Sequence, residues 1–143
     1  MAGREPTAEL DARYGDADMP TSWADALRRF EQAQVYWVVT VRTEGGPHLT
    51  PLFGVEPDGA LYFFTGPTEQ KARNLAANPR CALLTGRNTI DGLDVVVEGE
   101  AVRVRDGAFA GPGGNEAHLF ELVPSRGYGF GKGKAFSHTR FRF

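Results

Sequence analysis

A single cysteine, Cys81, stands among the 143 residues, so no intramolecular disulfide framework can form, and a reducing cytoplasmic setting is expected. No apolar run approaches the roughly 18 residues of a membrane helix, and no membrane partner is expected. Residues 1–18 (MAGREPTAELDARYGDAD) are polar and acidic and lack the apolar centre of a secretory signal. A basic excess is missing too: 16 Lys and Arg against 18 Asp and Glu leave a net charge of −2, which argues against a general nucleic-acid binder. His48, His118 and His138 stand apart, without H-x-x-x-H or C-x-x-C spacing, and no metal is expected. There is no G-x-S-x-G elbow, no Walker loop and no G-x-G-x-x-G after a strand. Glycine-rich GYGFGKGK (127–134) has no helix-forming segment behind it, so it lacks the context of a nucleotide cradle. Cys81 lies in the middle of an apolar segment and reads as an inert thiol.

What is present is turn chemistry. Eighteen glycines and nine prolines are too many for a helical bundle and point to short strands joined by turns, in one domain with 41% apolar residues. Residues 1–20 show no apolar period and are expected to form a mobile arm, with the folded domain over 21–143. Ser22 opens a helix to about residue 34, with Asp25 at capping-box spacing and Trp23, Leu27 and Phe30 on one stripe, a lid for a sheet. Strands are expected at 35–42, 48–55, 60–65, 80–85, 93–105, 117–124 and 136–143. Pro51 and Gly54 mark the second as an edge or bulge, and a slip in alternation near Gly99 marks a bulge in the fifth. The basic stretch 125–134 reads as a loop. About seven short strands and two helices suit a closed, mainly β fold.

The organising stretch is LYFFTGPTEQKARNLAANP (61–79). A strand ends at Gly66-Pro67, Thr68 is a plausible N-cap, and Asn78-Pro79 stops the helix. Lys71 and Arg73 fall in its first turn and a half, where acids are usual. Two cations beside free N–H groups make an anion pocket suited to phosphate, although they could equally be solvated charges with Glu69 partly compensating them. Thr40, Thr50 and Thr65 supply hydroxyls, Lys132, Lys134, Arg140 and Arg142 further cations, and Trp37, Phe53 and Phe136 aromatic surface. An anion site without a protein nucleophile fits an enzyme whose cofactor carries the chemistry.

The runs YWVVTVRTEGGPHLTPLFGV, DGALYFFTGPTEQKARNLAANP, LDVVVEGEAV and GFGKGKAFSHTRFRF resemble the pyridoxamine 5′-phosphate oxidase-like family of flavin- and deazaflavin-binding split barrels, in particular its actinobacterial branch that uses coenzyme F420. The resemblance implies a mainly β (α+β) fold, a six-stranded antiparallel split β-barrel with flanking helices, in a homodimer with cofactor sites at the interface. It implies that Lys71 and Arg73 hold the cofactor phosphate. Thr40 would border the ring, with His48, Thr50, Pro51, Leu52 and Phe53 on the next strand. Thr65 and Gly66 would bond the ribityl chain or phosphate, and Lys132, Phe136 and Arg140 would reach across from the partner subunit. No residue is assigned a catalytic role.

The activity so implied is an F420-dependent oxidoreductase passing a hydride to an electron-poor small molecule. The alternatives are an FMN-dependent oxidoreductase of the same fold, or a non-catalytic carrier of flavin, deazaflavin or haem. Two departures from the family are legible. Its members carry a helical connection after the V-E-G-E-A-V strand, whereas Arg105-Asp106 runs straight into GAFAGPGGN. The R-x-x-x-L-K pattern of the pyridoxamine 5′-phosphate oxidases is missing, and oxidation of pyridoxamine phosphate is not expected.

Overall fold

A computed structural model describes residues 4–53, 59–105 and 116–143. Eight strands and two helices follow in the order β1 (Thr7–Gly15), α1 (Trp23–Gln32), β2 (Val35–Val41), β3 (Pro47–Phe53), β4 (Leu61–Thr65), α2 (Gln70–Ala77), β5 (Arg80–Thr85), β6 (Gly92–Val104), β7 (His118–Lys132) and β8 (Ser137–Arg142). The sheet is antiparallel, ordered β1-β8-β7-β6-β5-β2-β3, with β4 paired to β7 off that path. Strands β2 to β7 make the barrel. Among the described residues β3 and β4 come close with no ladder between them.

Strand β7 serves three neighbours, β6 along one edge and β4 and then β8 along the other. Its first half pairs with β4 (Leu61↔Leu122 to Thr65↔His118) and its second half with β8 (Arg126↔Arg142 to Gly131↔Ser137), while β6 runs along the whole of it. The register steps from Glu98↔Arg126 to Gly99↔Pro124, which leaves Ser125 as the extra residue of a bulge. Ser125 Oγ donates to Glu98 O at 3.2 Å. Gly99 is required opposite the bend, since a Cβ there would sit 2.1 Å from the Val123 carbonyl oxygen. The slip expected near Gly99 is therefore real, with the unpaired residue on the partner strand.

The core lies inside the barrel and under α1. Tyr36 and Val38 from β2, Leu83 from β5, Val95 and Val97 from β6, Leu122 from β7 and Phe141 from β8 are buried, and Phe63 stacks on Phe120 with ring centroids 5.5 Å apart. Ser22 caps α1 by accepting from Asp25 N at 3.1 Å, and Trp23 packs edge-on against Phe141 and Phe143. The stripe expected from spacing is the buried one, with Ala26 beside Trp23 and Phe30, and Leu27 at its rim. No helix among the described residues is long and apolar enough to cross a membrane.

Three expectations change. The supposed arm contains β1, which pairs with β8 from Thr7↔Arg142 to Leu10↔Thr139. An edge strand held by backbone ladders buries few side chains, only Asp11 here, so no apolar period announces it. The basic loop at 125–134 is strand as far as Lys132, held by ladders to β6 and β8; Gly-Tyr-Gly-Phe-Gly alternates with a period of two, but its glycines lower the β propensity that would announce it. The helix expected from Thr68 begins one residue later, with Glu69 at the N-cap. Strand β3 does lie at the sheet edge, which accommodates Pro51. Gly54 and Val55, the turn residues 56–58 and the connection 106–115 lie outside the described residues.

The bulge can be tested. Gly99→Val should lower the urea midpoint by the equivalent of about 1–3 kcal/mol, since backbone cannot yield to the new side chain. An unchanged midpoint would rule out the close approach of β7.

Candidate functional site

Helix α2 places its side chains by simple rotation. At 100° per residue, Lys71, Asn74 and Leu75 share one face, and all three are buried against the barrel. Arg73, two residues from Lys71, points away; its guanidinium donates to Thr68 O and Gln70 Oε1, both at 2.6 Å, on the exposed flank. The two cations expected to act together are thus separated by helix geometry, since residues two apart do not face one another.

Under the inner face runs a polar chain. Gln70 Nε2 donates to Asn74 Oδ1 at 2.8 Å, and Asn74 Nδ2 donates to Thr40 Oγ1 at 2.9 Å on β2. Thr40 pairs with His48 on β3, and Thr50 is the next inward residue of that strand. His48 Nδ1 and Thr50 Oγ1 are buried without a hydrogen-bond partner among the described residues. Burial, then the charges of Arg42 and Lys71, push the His48 pKa down, so its neutral form is favoured.

Lys71 is the centre of the site. Its side chain is 8% exposed, and its Nζ donates to Glu69 Oε1 at 3.0 Å. Glu69 Oε2 accepts from the Gly66 backbone N–H at 2.5 Å and from Thr65 Oγ1 at 3.2 Å, the hydroxyl being shared with Gly66 O at 3.1 Å. Burial alone would raise the Glu69 pKa, but the Lys71 and Gly66 hydrogen bonds, the Lys71 charge and the Thr65 hydroxyl outweigh it and hold the carboxyl below its usual value. One ammonium, one backbone N–H and one hydroxyl therefore converge on a single carboxylate. This donor set suits a phosphate as well.

Thr40, Thr65, Gly66 and Lys71 are thus tied into the start and inner face of α2, with His48 opposite Thr40 in the ladder and Thr50 two residues further along β3. Leu52 is in the core, while Pro51 and Phe53 belong to the outer face of β3, where Phe53 is 70% exposed. Lys132, Phe136 and Arg140 lie elsewhere in the chain, β8 being four ladders from β2. Lys132 Nζ bonds Asp94 Oδ2 at 2.8 Å, Thr89 O at 2.7 Å and Arg87 O at 3.1 Å. The Phe136 backbone is tied to Asp16, and its side chain is half exposed. Arg140 bonds Glu9, and its Nε is buried without a partner among the described residues, as is His138 Nε2 two residues earlier. His138 also packs against Phe130 and Tyr14, at 4.8 and 5.3 Å between ring centroids. His138, Phe130 and Tyr14, beside the Arg140–Glu9 ion pair, thus form a second cluster away from α2.

Sequence reasoning missed Gln70 and Asn74. A mid-helix Asn four residues after Gln, both poor apolar partners, was the available signal, because Asn inside a helix is unfavourable unless its amide is used. Cys81 is buried, and burial, with Glu100 nearby, pushes its thiol up to about 12. Among the described residues no group of three or more His, Cys, Asp or Glu gathers to hold a metal.

The titrating groups give a test. The depressed His48 pKa means the unfolded chain binds its proton first, so stability should be lost as pH falls below 6.5. His48→Gln should flatten that fall in thermal unfolding between about pH 6.5 and 5. A profile identical to wild type would remove His48 from the buried site. Glu69 acts lower, below 4.5, where its stabilising contribution is lost as it protonates.

Residues 23–126 match the family described as pyridoxamine 5′-phosphate oxidase. No curated protein sequence matches the chain. Among solved structures, a conserved hypothetical protein from Mycobacterium tuberculosis superposes with a TM-score of 0.68 at 22% identity, over 82% of this chain and 89% of that one. A heme binding protein from Mycobacterium smegmatis gives 0.62 at 19%, over 83% of this chain and 58% of that one. A structure titled F420 reductase gives 0.59 at 21%, over 70% of this chain and 93% of that one. These identities show the fold alone. The match over residues 23–126, with the split barrel that carries it, makes the chain a member of the pyridoxamine 5′-phosphate oxidase family.

Proposed function

We propose that this protein is an F420-dependent oxidoreductase acting on an electron-poor small molecule, with FMN as the alternative cofactor of the same class. The observation that carries the reading is the convergence of Lys71 Nζ, Gly66 N–H and Thr65 Oγ1 on one anionic position, with His48 Nδ1 and Thr50 Oγ1 on β3 unpartnered among the described residues. Those donors fit the phosphate and polar chain of a ring-bearing cofactor. Such a cofactor, when bound, supplies hydride transfer. The chain supplies position. Lys71, fixed by burial, anchors the phosphate. Asn74 and Thr40 hold α2 against β2 so that the anchor does not drift, and the barrel wall keeps water from one side of the pocket.

A second copy of the chain completes the reading. The outer face of β2 and β3 exposes Val35, Trp37, Leu49 and Phe53 together, more clustered apolar surface than scattered residues would leave. Packing that face on another subunit would cover it, and the cluster of Arg140, His138 and Phe130 would add a second arginine and aromatic surface to the site.

Three measurements test this. Titration with F420 and with FMN, followed by tryptophan quenching, should show binding of the deazaflavin over the flavin; reversal of that order would move the function to FMN chemistry, and binding of neither would remove it. Lys71→Met should weaken binding by about 1.5–3 kcal/mol, the size of a charge-assisted contact. Its effect on folding should be small, within about 1 kcal/mol, because the remaining carboxylate of Glu69 is half exposed. Trp37→Asp with Leu49→Lys should convert a dimer to monomer in sedimentation; a monomeric wild type would rule out the paired subunit.

A further inference from the structure

The anion position of the α2 pocket is filled by the chain's own carboxylate. Glu69 Oε2 takes the Gly66 N–H and the Thr65 hydroxyl, and Oε1 takes Lys71 Nζ. These are the donors assigned above to the cofactor phosphate. Gly66 lets the carboxylate in closely, since a Cβ there would stand 3.1 Å from Glu69 Oε2. A phosphate and this carboxylate cannot both hold the same three donors.

We infer that Glu69 is an internal stand-in for the ligand's phosphate, and that binding requires its displacement. The inference rests on the cofactor reading and adds a specificity-determining residue to it. The two partners of the ion pair differ in freedom. The Lys71 side chain is 8% exposed and the Glu69 side chain 51% exposed, so the carboxylate can swing into water while the ammonium stays. A buried ammonium without a counter-charge is costly, and Glu69 supplies one until a ligand does. The exchange then selects. A chromophore without phosphate brings nothing to replace the carboxylate and leaves it in place. A phosphate-bearing one brings the anion and three acceptor oxygens, which outcompete a carboxylate that must give up only its local contacts. Affinity for the phosphate is therefore set by a competition built into the chain, and it is weaker than the donor set alone would provide.

The test compares wild type with Glu69→Gln, which keeps the shape and removes the charge. Both are titrated by fluorescence quenching with F420 and FMN, and with the corresponding phosphate-free chromophores, deazariboflavin and riboflavin. The substitution should tighten binding of the phosphate-bearing partner that wild type accepts by about tenfold or more and leave the phosphate-free partner within about twofold. Without ligand, the melting temperature of Glu69→Gln should fall, and saturating cofactor should restore more of it than in wild type. Glu69→Asp, which keeps the charge but shortens the reach to Gly66 and Thr65, should lie between the two and serves if the glutamine variant folds poorly. Unchanged or weaker phosphate-dependent binding in both variants, with wild type still binding, would overturn the stand-in and leave the cofactor reading intact. Equal affinity of wild type for the phosphate-bearing and phosphate-free chromophores would overturn it as well. Binding of none of the four to either protein would overturn both readings.

Discussion

The bend in β7 is the constraint on which this architecture depends. One edge of β7 pairs with β6 along its length, while the other is divided between β4 before the bulge and β8 after it. Ser125, unpaired in the ladder, turns the strand, and Gly99 opposite lets the backbones approach. The two halves of β7 thus belong to different parts of the fold, the first closing the barrel beside β4 and the second carrying β8 and β1 outward. With β4 pinned to the first half, the turn after Thr65 delivers α2 over β2. The position of the candidate site therefore follows from a bulge on another strand.

Within that frame the site trades burial against charge. Lys71 lies where an ammonium ion is expensive, and the polar chain Gln70–Asn74–Thr40 occupies space that apolar residues would fill more cheaply. What this arrangement provides is one fixed cation and a set of inward donors, with His48 kept neutral by burial and by the nearby cations. Glu69 gives the buried ammonium a counter-charge at 3.0 Å. Its ties to Gly66 and Thr65 connect the end of β4 to the start of α2, so the same carboxylate serves the local turn and the charge balance. The outer face of β2 and β3 is apolar, and β7 and β8 carry aromatic rings beside the Arg140–Glu9 ion pair. A site shared between subunits would draw on both faces, which is the basis for proposing a dimer.

Period and punctuation in the amino-acid sequence were enough for the strands β2 to β6, for α1 with its Ser22 cap, and for the helix after Gly66-Pro67, because each of these is specified by local alternation, capping or proline. The irregularity near Gly99 was legible for the same reason. Three things required the folded chain. Strand β1 has no pattern of its own, since an edge strand is held by backbone hydrogen bonds that any sequence can make. The division of Lys71 from Arg73, and the role of Asn74, depend on which face of α2 meets the sheet, and rotation about a helix axis is set by packing partners distant in sequence. The occupation of the anion position by Glu69 depends on a turn, a glycine and a buried lysine meeting in three dimensions, where burial sets the strength of every charge.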